Sequence, residues 1–363
     1  MPSNDIILAD LFCGCSGLGL GARQAGFAVG ASVDTDPILT SSHATNFPNG
    51  KLRLGDIADL TGNDLKSMIG KSIDGIVGGP PCQGFSEIGR SNPDDPRRLL
   101  LYHFFRVVAE ARPRFFLMEN VRGLANRKNR PFLESALQQV ADQYEIVGPI
   151  MVDGSEFGAA TRRPRIFVVG YDKRYVDNFN ETDLLAERCL PATVADAIGD
   201  LHHAIAISGA DGFDVWELPE TTDRSAYARA LASNDGKTTG HRRTIHRVEI
   251  AERFASVLQG EMDEIGRHPR LAWGGQCPTI RAGTGPDKGS RQAVRPLHPD
   301  EPRVITVREA ARLQGFPDWF KFHPTVWHSF RMIGNSVSPI VAQRLFSAVR
   351  KKLSVGASLQ AAE

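Results

Sequence analysis

The segment that decides the fold reads Ile6-Ile-Leu-Ala-Asp10-Leu-Phe-Cys-Gly14-Cys-Ser-Gly17-Leu-Gly19-Leu-Gly21. An apolar run that passes into clustered glycines predicts a strand, a tight turn and the start of a helix. Glycines in such a turn let the backbone approach a ligand and direct amide groups toward it. The segment therefore predicts the first strand–turn–helix unit of a nucleotide-binding α/β fold, although an ordinary strand–helix turn with capping acids has the same local pattern.

Apolar runs and amphipathic stretches alternate through the first half of the chain. Strands are predicted at Ile6–Phe12, Ala28–Asp34, Leu52–Asp56, Asp74–Gly78, Arg114–Glu119, Glu145–Val152 and Arg165–Tyr171. Helices are predicted at Leu18–Ala25, Pro37–Asn46, Leu99–Ala111, Pro131–Asp142, Thr306–Leu313 and Val337–Lys351. Repeated strand–helix–strand units predict a parallel sheet with right-handed crossovers. Residues 180–300 show no clean period and predict a second, irregular domain.

Length and composition set the class of protein. The chain has 363 residues, of which 41% are hydrophobic and 23% are charged, as in globular proteins of about two domains. No apolar run reaches the roughly 20 residues of a membrane span, and no signal peptide is expected. Five scattered cysteines do not form a disulfide framework, so we expect a cytoplasmic protein. The net charge of +1 does not exclude nucleic acid, because a local basic face is sufficient.

Two carboxylates follow the predicted second and third strands. Asp34 comes twenty residues after Gly14, where it could accept hydrogen bonds from both ribose hydroxyls, and Asp56 could accept from an adenine amino group. The spacing Gly17-Leu-Gly19-Leu-Gly21 does not match the G-x-G-x-x-G pattern of nicotinamide enzymes. These residues favour an adenosine ligand without a pyrophosphate.

A cysteine follows the predicted fourth strand, in Gly78-Gly79-Pro80-Pro81-Cys82-Gln83-Gly84-Phe85-Ser86. The two prolines stiffen the chain just before Cys82. A lone cysteine is more often a buried structural residue. A thiol at the carboxyl end of a strand, at the ligand-binding edge of a parallel sheet, is nevertheless well placed to act as a nucleophile.

This nucleophile segment resembles that of the C5-cytosine DNA methyltransferases, and other motifs of that family follow in the same order. The similarity covers residues 5–175 and 276–350 and includes Asp10–Gly21, Asp34, Asp56–Ile57, Glu119-Asn120-Val121, Thr161–Arg165, Arg308–Pro317 and Gly334–Val337. The chain departs from the family pattern at two positions: Ser16 replaces a usual glycine, and Thr161 replaces a usual glutamine.

The resemblance implies a class I S-adenosylmethionine-dependent methyltransferase fold, which is Rossmann-like with a mixed seven-stranded sheet, together with a smaller irregular target-recognition domain. It implies a catalytic domain at 1–178 and 325–363, and a recognition domain at 179–324 that includes the supporting helix at 306–315. The implied reaction is transfer of a methyl group from S-adenosylmethionine to carbon 5 of a flipped-out cytosine in a specific duplex DNA sequence, with S-adenosylhomocysteine as product and no metal.

Four residues are expected to perform the chemistry. Carbon 5 of cytosine is a poor nucleophile until a thiolate adds to carbon 6, and a soft attacker that can leave again suits Cys82. Glu119 could hydrogen-bond ring N3 and the exocyclic amine, with a strand-end salt bridge as its alternative. Arg165 could hold O2, where negative charge develops, with phosphate or surface pairing as its alternative. Arg163 is the fourth candidate, with phosphate or surface pairing as its alternative.

The resemblance also implies binding residues. Those expected at the cofactor are Asp10, Phe12, Gly14, Ser16, Gly17, Leu18, Asp34, Thr35, Asp56, Ile57, Gly79, Pro81, Asn335 and Ser336. Those expected at the DNA are Gln83, Ser86, Ile88, Arg90, Arg97, Arg98, Arg242, Arg243 and Arg281. The basic stretch Lys237–Arg247, which contains no acid, suits phosphate contacts and guanine-reading arginines, although such loops are often only solvated.

Duplex DNA is the expected partner of a monomer, and the resemblance is compatible with a cognate restriction endonuclease that acts on the same site without a stable complex. A metal site at His241, His246, Cys277 and His298 is rejected, because their spacing fits no zinc pattern. Two alternatives remain open: a tRNA cytosine methyltransferase of the related family, and a catalytically silent DNA-binding protein. Methylation of an exocyclic amine is disfavoured, because Cys82 follows the prolines where that class has an aromatic residue.

Overall fold

The computed structural model describes residues 6–81, 98–209, 212–220, 222–283 and 294–360, with side chains described as far as residue 353. Its strands are β1 Ile7–Leu11, β2 Ala28–Asp34, β3 Leu52–Leu54, β4 Gly75–Gly78, β5 Phe115–Val121, β6 Glu145–Asp153, β7 Pro164–Tyr171, β8 Ile205–Ile207, β9 Val215–Glu217 and β10 Lys237–Thr239. Its helices are α1 Gly17–Gln24, α2 His43–Asn46, α3 Gly62–Ile69, α4 Leu99–Ala111, α5 Arg130–Leu137, α6 Glu181–Leu185, α7 Val194–Ile198, α8 Ala226–Leu231, α9 Val248–Ala255, α10 Val307–Gln314, α11 Val326–Asn335 and α12 Pro339–Gln360.

Contacts divide the described chain into two compact units. The first unit comprises the described parts of Met1–Asp153, Pro164–Arg188 and Val341–Glu363, and the second comprises those of Gly154–Arg163 and Cys189–Ile340. This division rests on contacts alone. The functional domains expected from the sequence, with boundaries at 178/179 and 324/325, are a division by role and remain a prediction.

The first unit contains a seven-stranded sheet in the order β3-β2-β1-β4-β5-β7-β6. Neighbouring strands from β3 to β5 are parallel, so their carboxyl ends meet at one edge. β7 is antiparallel to both β5 and β6, which corrects the all-parallel expectation drawn from the alternation of elements and agrees with the mixed sheet that the resemblance implied. The reversal brings the amino end of β7 to the edge where β5 ends, since Val121 pairs with Arg165.

A buried apolar cluster of this unit joins the sheet to α3, α4 and α5. Phe104 and Phe105 of α4 stack edge-to-face with each other and with Phe116 of β5, and all three rings are fully buried. Burying one such ring contributes about 1.5–3 kcal/mol through area removed from water. This packing holds the first residues of β5, three positions before Glu119.

Several predicted elements changed in extent. β2 and α4 have the predicted bounds, whereas α2 is only His43–Asn46, because the Asp36 carboxylate accepts from the backbone amides of Ile38 and Leu39 and forms a turn instead. Helices α3 and α11 were not predicted. α3 begins at a capping box of Thr61 and Asp64.

The second unit is organised around α10, which begins with a capping box between Thr306 and Glu309 and is buried along its whole length. Burial alone would raise the pKa of Glu309, but the adjacent Arg303 guanidinium outweighs it and holds that pKa at about 2. Arg308 has no exposed surface and donates to the backbone carbonyls of Thr239, Pro317 and Phe320. This unit also contains a three-stranded antiparallel sheet in the order β10-β9-β8, together with α7, α8, α9 and α11. Residues 180–300 therefore hold more regular structure than the sequence predicted.

Candidate active site

The turn between β1 and α1 has an unusual backbone. Phe12, Gly14 and Ser16 have φ angles of 56°, 52° and 62°, so every second residue is left-handed. The Gly14 amide donates to Oδ2 of Asp34 at 2.8 Å, which ties the turn to the end of β2. Left-handed residues other than glycine cost about 1–3 kcal/mol each and cluster at functional sites.

Ser16 is the position at which this chain departs from the glycine of the family pattern. Its left-handed φ explains the usual glycine, because a residue with no Cβ adopts that conformation without strain. The Ser16 side chain is 3% exposed and interacts with the neighbouring Cys13 thiol. The chain therefore carries a strained, buried serine in its glycine-rich turn.

Asp10 lies beneath this turn with no exposed surface. Its carboxylate faces the backbone of Gly19, on which a Cβ would lie 2.6 Å from Oδ2. Burial, with the nearby Asp34 carboxylate as a second cause, raises the pKa of Asp10 to about 7. Because the group is enclosed, Asp10 can act on a ligand only by shaping the turn above it.

The two carboxylates expected at ribose and adenine lie in different surroundings. Asp34 is half-buried and accepts from the amides of Gly14 and Asp36, while burial raises its pKa. Asp56 is exposed, lies beyond the end of β3 and caps a short 3₁₀ helix by accepting from the Ala58 amide at 2.9 Å. The capping role considered for these acids is therefore real at Asp56, and the carboxylate keeps acceptor capacity for a ligand.

The remaining expected cofactor residues of the first unit divide by accessibility. Gly17, Leu18 and Ile57 are buried, whereas Phe12, Gly79 and Pro81 are partly exposed and Thr35 is exposed. The accessible set combines an aromatic ring with carboxylate acceptors, which suits an adenosine group whose hydroxyls and amine are donors. These residues therefore fit S-adenosylmethionine, which when bound would supply a methyl group on a sulfonium.

Glu119 and Arg165 form an ion pair at the same edge of the sheet. Arg165 Nε lies 2.9 Å from Glu119 Oε1, and the two side chains are 17% and 12% exposed. A Cβ on Gly79 would lie 3.0 Å from Glu119 Oε2, so a larger residue there would crowd the carboxylate. The salt bridge considered as the alternative for Glu119 is therefore present, and it sets a carboxylate and a guanidinium side by side at this edge.

The segment that leads to Cys82, the expected nucleophile, is anchored by Asn120. This residue is 1% exposed, and its Nδ2 donates to the Pro80 carbonyl at 3.1 Å. Asn120 belongs to the Glu119-Asn120-Val121 motif, but its hydrogen bond to the Pro80 carbonyl was not predicted from the sequence. Cys82 itself lies outside the described residues, as do five of the expected DNA contacts: Gln83, Ser86, Ile88, Arg90 and Arg97.

The motif Thr161–Arg165 is shared between the two units. Arg163 belongs to the second unit, is 5% exposed, and donates to the backbone carbonyls of Ile280 and Gly334 at 3.3 and 2.8 Å. Surface pairing, the alternative considered for Arg163, is wrong because the residue is buried. Thr161 has no exposed surface and donates its hydroxyl to the Cys277 carbonyl at 3.1 Å.

The last expected cofactor residues follow at the end of α11 in the second unit. Asn335 is exposed and Ser336 is partly exposed. Gly334 approaches the backbone so closely that a Cβ would lie 2.3 Å from the Ala282 amide nitrogen. Glycine at this position therefore permits the close approach to Ala282. The Gly334 carbonyl is also one of the two that accept from Arg163.

The expected DNA contacts that the structure describes are all at least partly exposed. Arg98 lies with its guanidinium 4.7 Å from the centre of the Phe132 ring. Arg242 and Arg281 are exposed, and Arg243 lies 3.4 Å from Glu301. The rejected metal ligands have other partners: His241 contacts the Thr306 hydroxyl and the Leu201 carbonyl, each at 3.1 Å. Within the described ranges, no group of three or more His, Cys, Asp or Glu side chains is placed to hold a metal ion.

The sheet order, with its reversed β7, and the glycine-rich turn after β1 define a class I S-adenosylmethionine-dependent methyltransferase fold. The family model for C-5 cytosine-specific DNA methylase matches residues 6–351. The chain belongs to this family and is a DNA (cytosine-5)-methyltransferase. None of the described helices is long and apolar enough to cross a membrane.

Relatives match along nearly the whole chain. The Type II methyltransferase M.XorII of Xanthomonas oryzae pv. oryzae is 38% identical over 94% of this chain and 85% of that protein. M.NgoPII of Neisseria gonorrhoeae is 31% identical, over 96% and 97% respectively. A crystal structure described as a DNA modification methyltransferase encoded within an E. coli prophage matches with a TM-score of 0.84 at 38% identity, over 96% of this chain and all of that one. The S. pombe Dnmt2 methyltransferase shares the fold, with a TM-score of 0.61 at 15% identity, over 96% of this chain and 99% of that one.

Proposed function

We propose that the protein methylates carbon 5 of a cytosine that has been flipped out of a specific sequence of duplex DNA, through a covalent bond between Cys82 and carbon 6. The observation that carries the proposal is the Glu119–Arg165 ion pair at the carboxyl edge of the sheet, beside the segment that leads to Cys82. Target atoms inside a duplex are not accessible, so the base must leave the stack.

The chain's own residues have separate roles in this reaction. The Cys82 thiolate forms the bond to carbon 6, which makes carbon 5 nucleophilic toward the methyl group, and leaves again after a base removes the carbon 5 proton. Glu119 holds ring N3 and the exocyclic amine, and Arg165 stabilises the charge that develops at O2. Arg163 acts as a positioning residue, since its guanidinium holds two backbone carbonyls.

The cofactor proposal rests on the first-unit turn. S-adenosylmethionine would contact Phe12, Gly14, Asp34 and Asp56, while Asp10 and Ser16 would shape the turn from below. The reaction product is S-adenosylhomocysteine, and no metal takes part in the proposed route.

Target choice is proposed to lie in residues 179–324. Their exposed arginines Arg242, Arg243 and Arg281 suit contacts to phosphates and guanine edges. Because the named relatives are Type II methyltransferases, we propose that this protein is a monomeric cytoplasmic member of a restriction-modification system, which protects a site that a cognate endonuclease cuts without a stable complex.

Expression in a bacterial host that lacks cytosine methylation tests the function. We expect 5-methyldeoxycytidine in digested DNA by mass spectrometry, and bisulfite sequencing should place it in one recurring sequence. The Cys82→Ala variant, expressed at the same level, is the matched control and should leave the DNA unmodified. Absence of 5-methyldeoxycytidine from the unsubstituted culture, or 5-methylcytidine in its tRNA alone, would contradict the proposal.

A further inference from the structure

A strongly basic loop follows β5 and contains none of the residues proposed to act on the base or the cofactor. Residues 122–130 contain Arg122, Arg127, Lys128 and Arg130, and all four are exposed. No Asp or Glu occurs between Glu119 and Glu134. The loop therefore presents a local positive charge on a chain whose net charge is only +1.

Buried polar contacts fix the shape of this loop. Asn129 is 1% exposed, and its Nδ2 donates to the Gly123 carbonyl at 2.8 Å. The backbone amides of Asn129 and Arg130 both donate to the Asn126 carbonyl, at 3.0 and 2.9 Å. Leu124 is fully buried in the core of the first unit. Because the backbone of the loop is held in this way, only the side chains of its cations need to be ordered when a ligand binds.

The positive charge at the tip of the loop is not neutralised within the described chain. Arg130 pairs with Glu134 at 2.9 Å. Arg127 and Lys128 form no ion pair with any carboxylate of the described residues. Arg98 adds a further cation beside α5, because its guanidinium stacks on Phe132. Arg127 and Lys128 are therefore two adjacent cations without a matching carboxylate among the described residues, and a row of charges of this kind suits a polyanion.

The position of the loop points to the kind of polyanion. It begins directly after Val121, two residues beyond Glu119, so it leaves the sheet at the edge where the Glu119–Arg165 pair lies. A duplex that delivers a cytosine to Glu119 has its phosphates within a few nucleotides of that edge, and arginine and lysine are the usual phosphate ligands.

We propose that loop 122–130 binds backbone phosphates of duplex DNA, with Arg127 and Lys128 as the principal contacts; the proposal rests on the proposed function. The contacts are independent of sequence and position the duplex against the first unit. Each neutralised phosphate adds about 0.9 to the slope of log affinity against log salt, so two contacts give a slope difference of about 1.8.

Salt-dependent binding tests the proposal on a duplex of about 30 random base pairs, followed by fluorescence anisotropy between about 50 and 200 mM KCl. Over this range the unsubstituted protein should lose about twelvefold more affinity than the Arg127→Gln/Lys128→Gln variant. The matched control is Lys66→Gln/Lys71→Gln, which removes the same charge from the exposed end of α3, at the opposite edge of the sheet. The control should keep nearly the full salt slope.

Two further measurements make the outcome decisive. Thermal melting should show that both double variants fold as the unsubstituted protein does, because all four side chains are exposed. Methylation assays at low salt should show an unchanged kcat and a raised KM for DNA in the Arg127→Gln/Lys128→Gln variant only. Equal salt slopes in the two double variants would overturn the inference while leaving the proposed function intact. Failure of the unsubstituted protein to bind or methylate DNA would overturn both.

Discussion

Arg165 Nε lies 2.9 Å from Glu119 Oε1, across the antiparallel pair formed by β7 and β5. The register pairs Glu119 with Phe167 and Val121 with Arg165, so the two charged side chains are diagonal neighbours. If β7 were parallel, its first residues would lie at the other edge of the sheet. The reversed strand is therefore the feature of the fold that brings a guanidinium to the carboxylate at the end of β5.

Substitution of Arg165 should mainly affect methyl transfer. We expect Arg165→Ala to lower the single-turnover rate by about 10²–10³, because charge at O2 loses its partner and Glu119 loses its counter-ion. Arg165→Lys keeps the positive charge but loses the planar guanidinium with its paired donors, so its rate should lie between those of Arg165→Ala and the unsubstituted protein. The control Arg162→Ala alters an exposed neighbour and should stay within about tenfold of the unsubstituted rate. An Arg165→Ala rate as high as that control would remove Arg165 from the reaction.

Thr161 should matter for stability more than for rate, because its buried hydroxyl bonds to the Cys277 carbonyl. We expect Thr161→Val to lower the free energy of unfolding by about 1 kcal/mol and the methylation rate by less than about tenfold. Thr161→Ser keeps the hydroxyl and serves as the control. Denaturant titration gives the stability of both variants, and single-turnover assays give their methylation rates. A larger rate loss for Thr161→Val than for Arg165→Ala would show that Thr161 acts in the reaction more than in stability.

Asp10 should make the stability of the cofactor-free protein depend on pH. Its folded pKa of about 7 lies above the ordinary value of 3.8, so between these values the folded state binds more protons than the unfolded state. Stability from this group is present below about pH 4 and falls as the pH rises to about 7. Asp10→Asn should remove the decline and be more stable at pH 8 by on the order of 2–4 kcal/mol. Parallel stability–pH curves for the two proteins would show that Asp10 is not buried as a carboxylate.

The two carboxylates proposed at the cofactor can be tested without DNA. Asp34→Ala and Asp56→Ala should each weaken S-adenosylmethionine binding by about 1–3 kcal/mol, because a ligand donor loses its acceptor. Asp59→Ala, in the same 3₁₀ helix that Asp56 caps, is the control and should bind normally. Isothermal titration calorimetry gives the three affinities. Unchanged affinity in both test variants would place the cofactor elsewhere.

Much of the first unit could be predicted because its signals are local. β2 and α4 have the predicted bounds, since each is a single apolar or amphipathic run between clear breaks. The direction of β7 could not be predicted from the alternation of elements, because its own residues do not specify antiparallel pairing. α3 did have a local signal in the capping box of Thr61 and Asp64, which the strand-centred interpretation missed.

In the candidate site, too, only features with a local sequence signal could be predicted. Asp34 and Glu119 could be located because they end predicted strands. The surroundings of Arg163 could not be, because its carbonyl partners lie 117 and 171 residues away in the sequence. Likewise, nothing local to Ser16 indicates a left-handed φ, although the glycine of the family pattern at this position was the signal that could have suggested it.

The measurement that tests the central claim most directly uses a duplex with 5-fluorocytosine at the target position found by bisulfite sequencing. Fluorine cannot leave as a proton does, so the bond from Cys82 to carbon 6 should persist after methyl transfer. With S-adenosylmethionine present, we predict a one-to-one adduct that resists denaturant, and mass spectrometry of its peptides should place the DNA on Cys82. A protein that methylates ordinary duplex but forms no adduct, or forms one at another residue, would contradict the account.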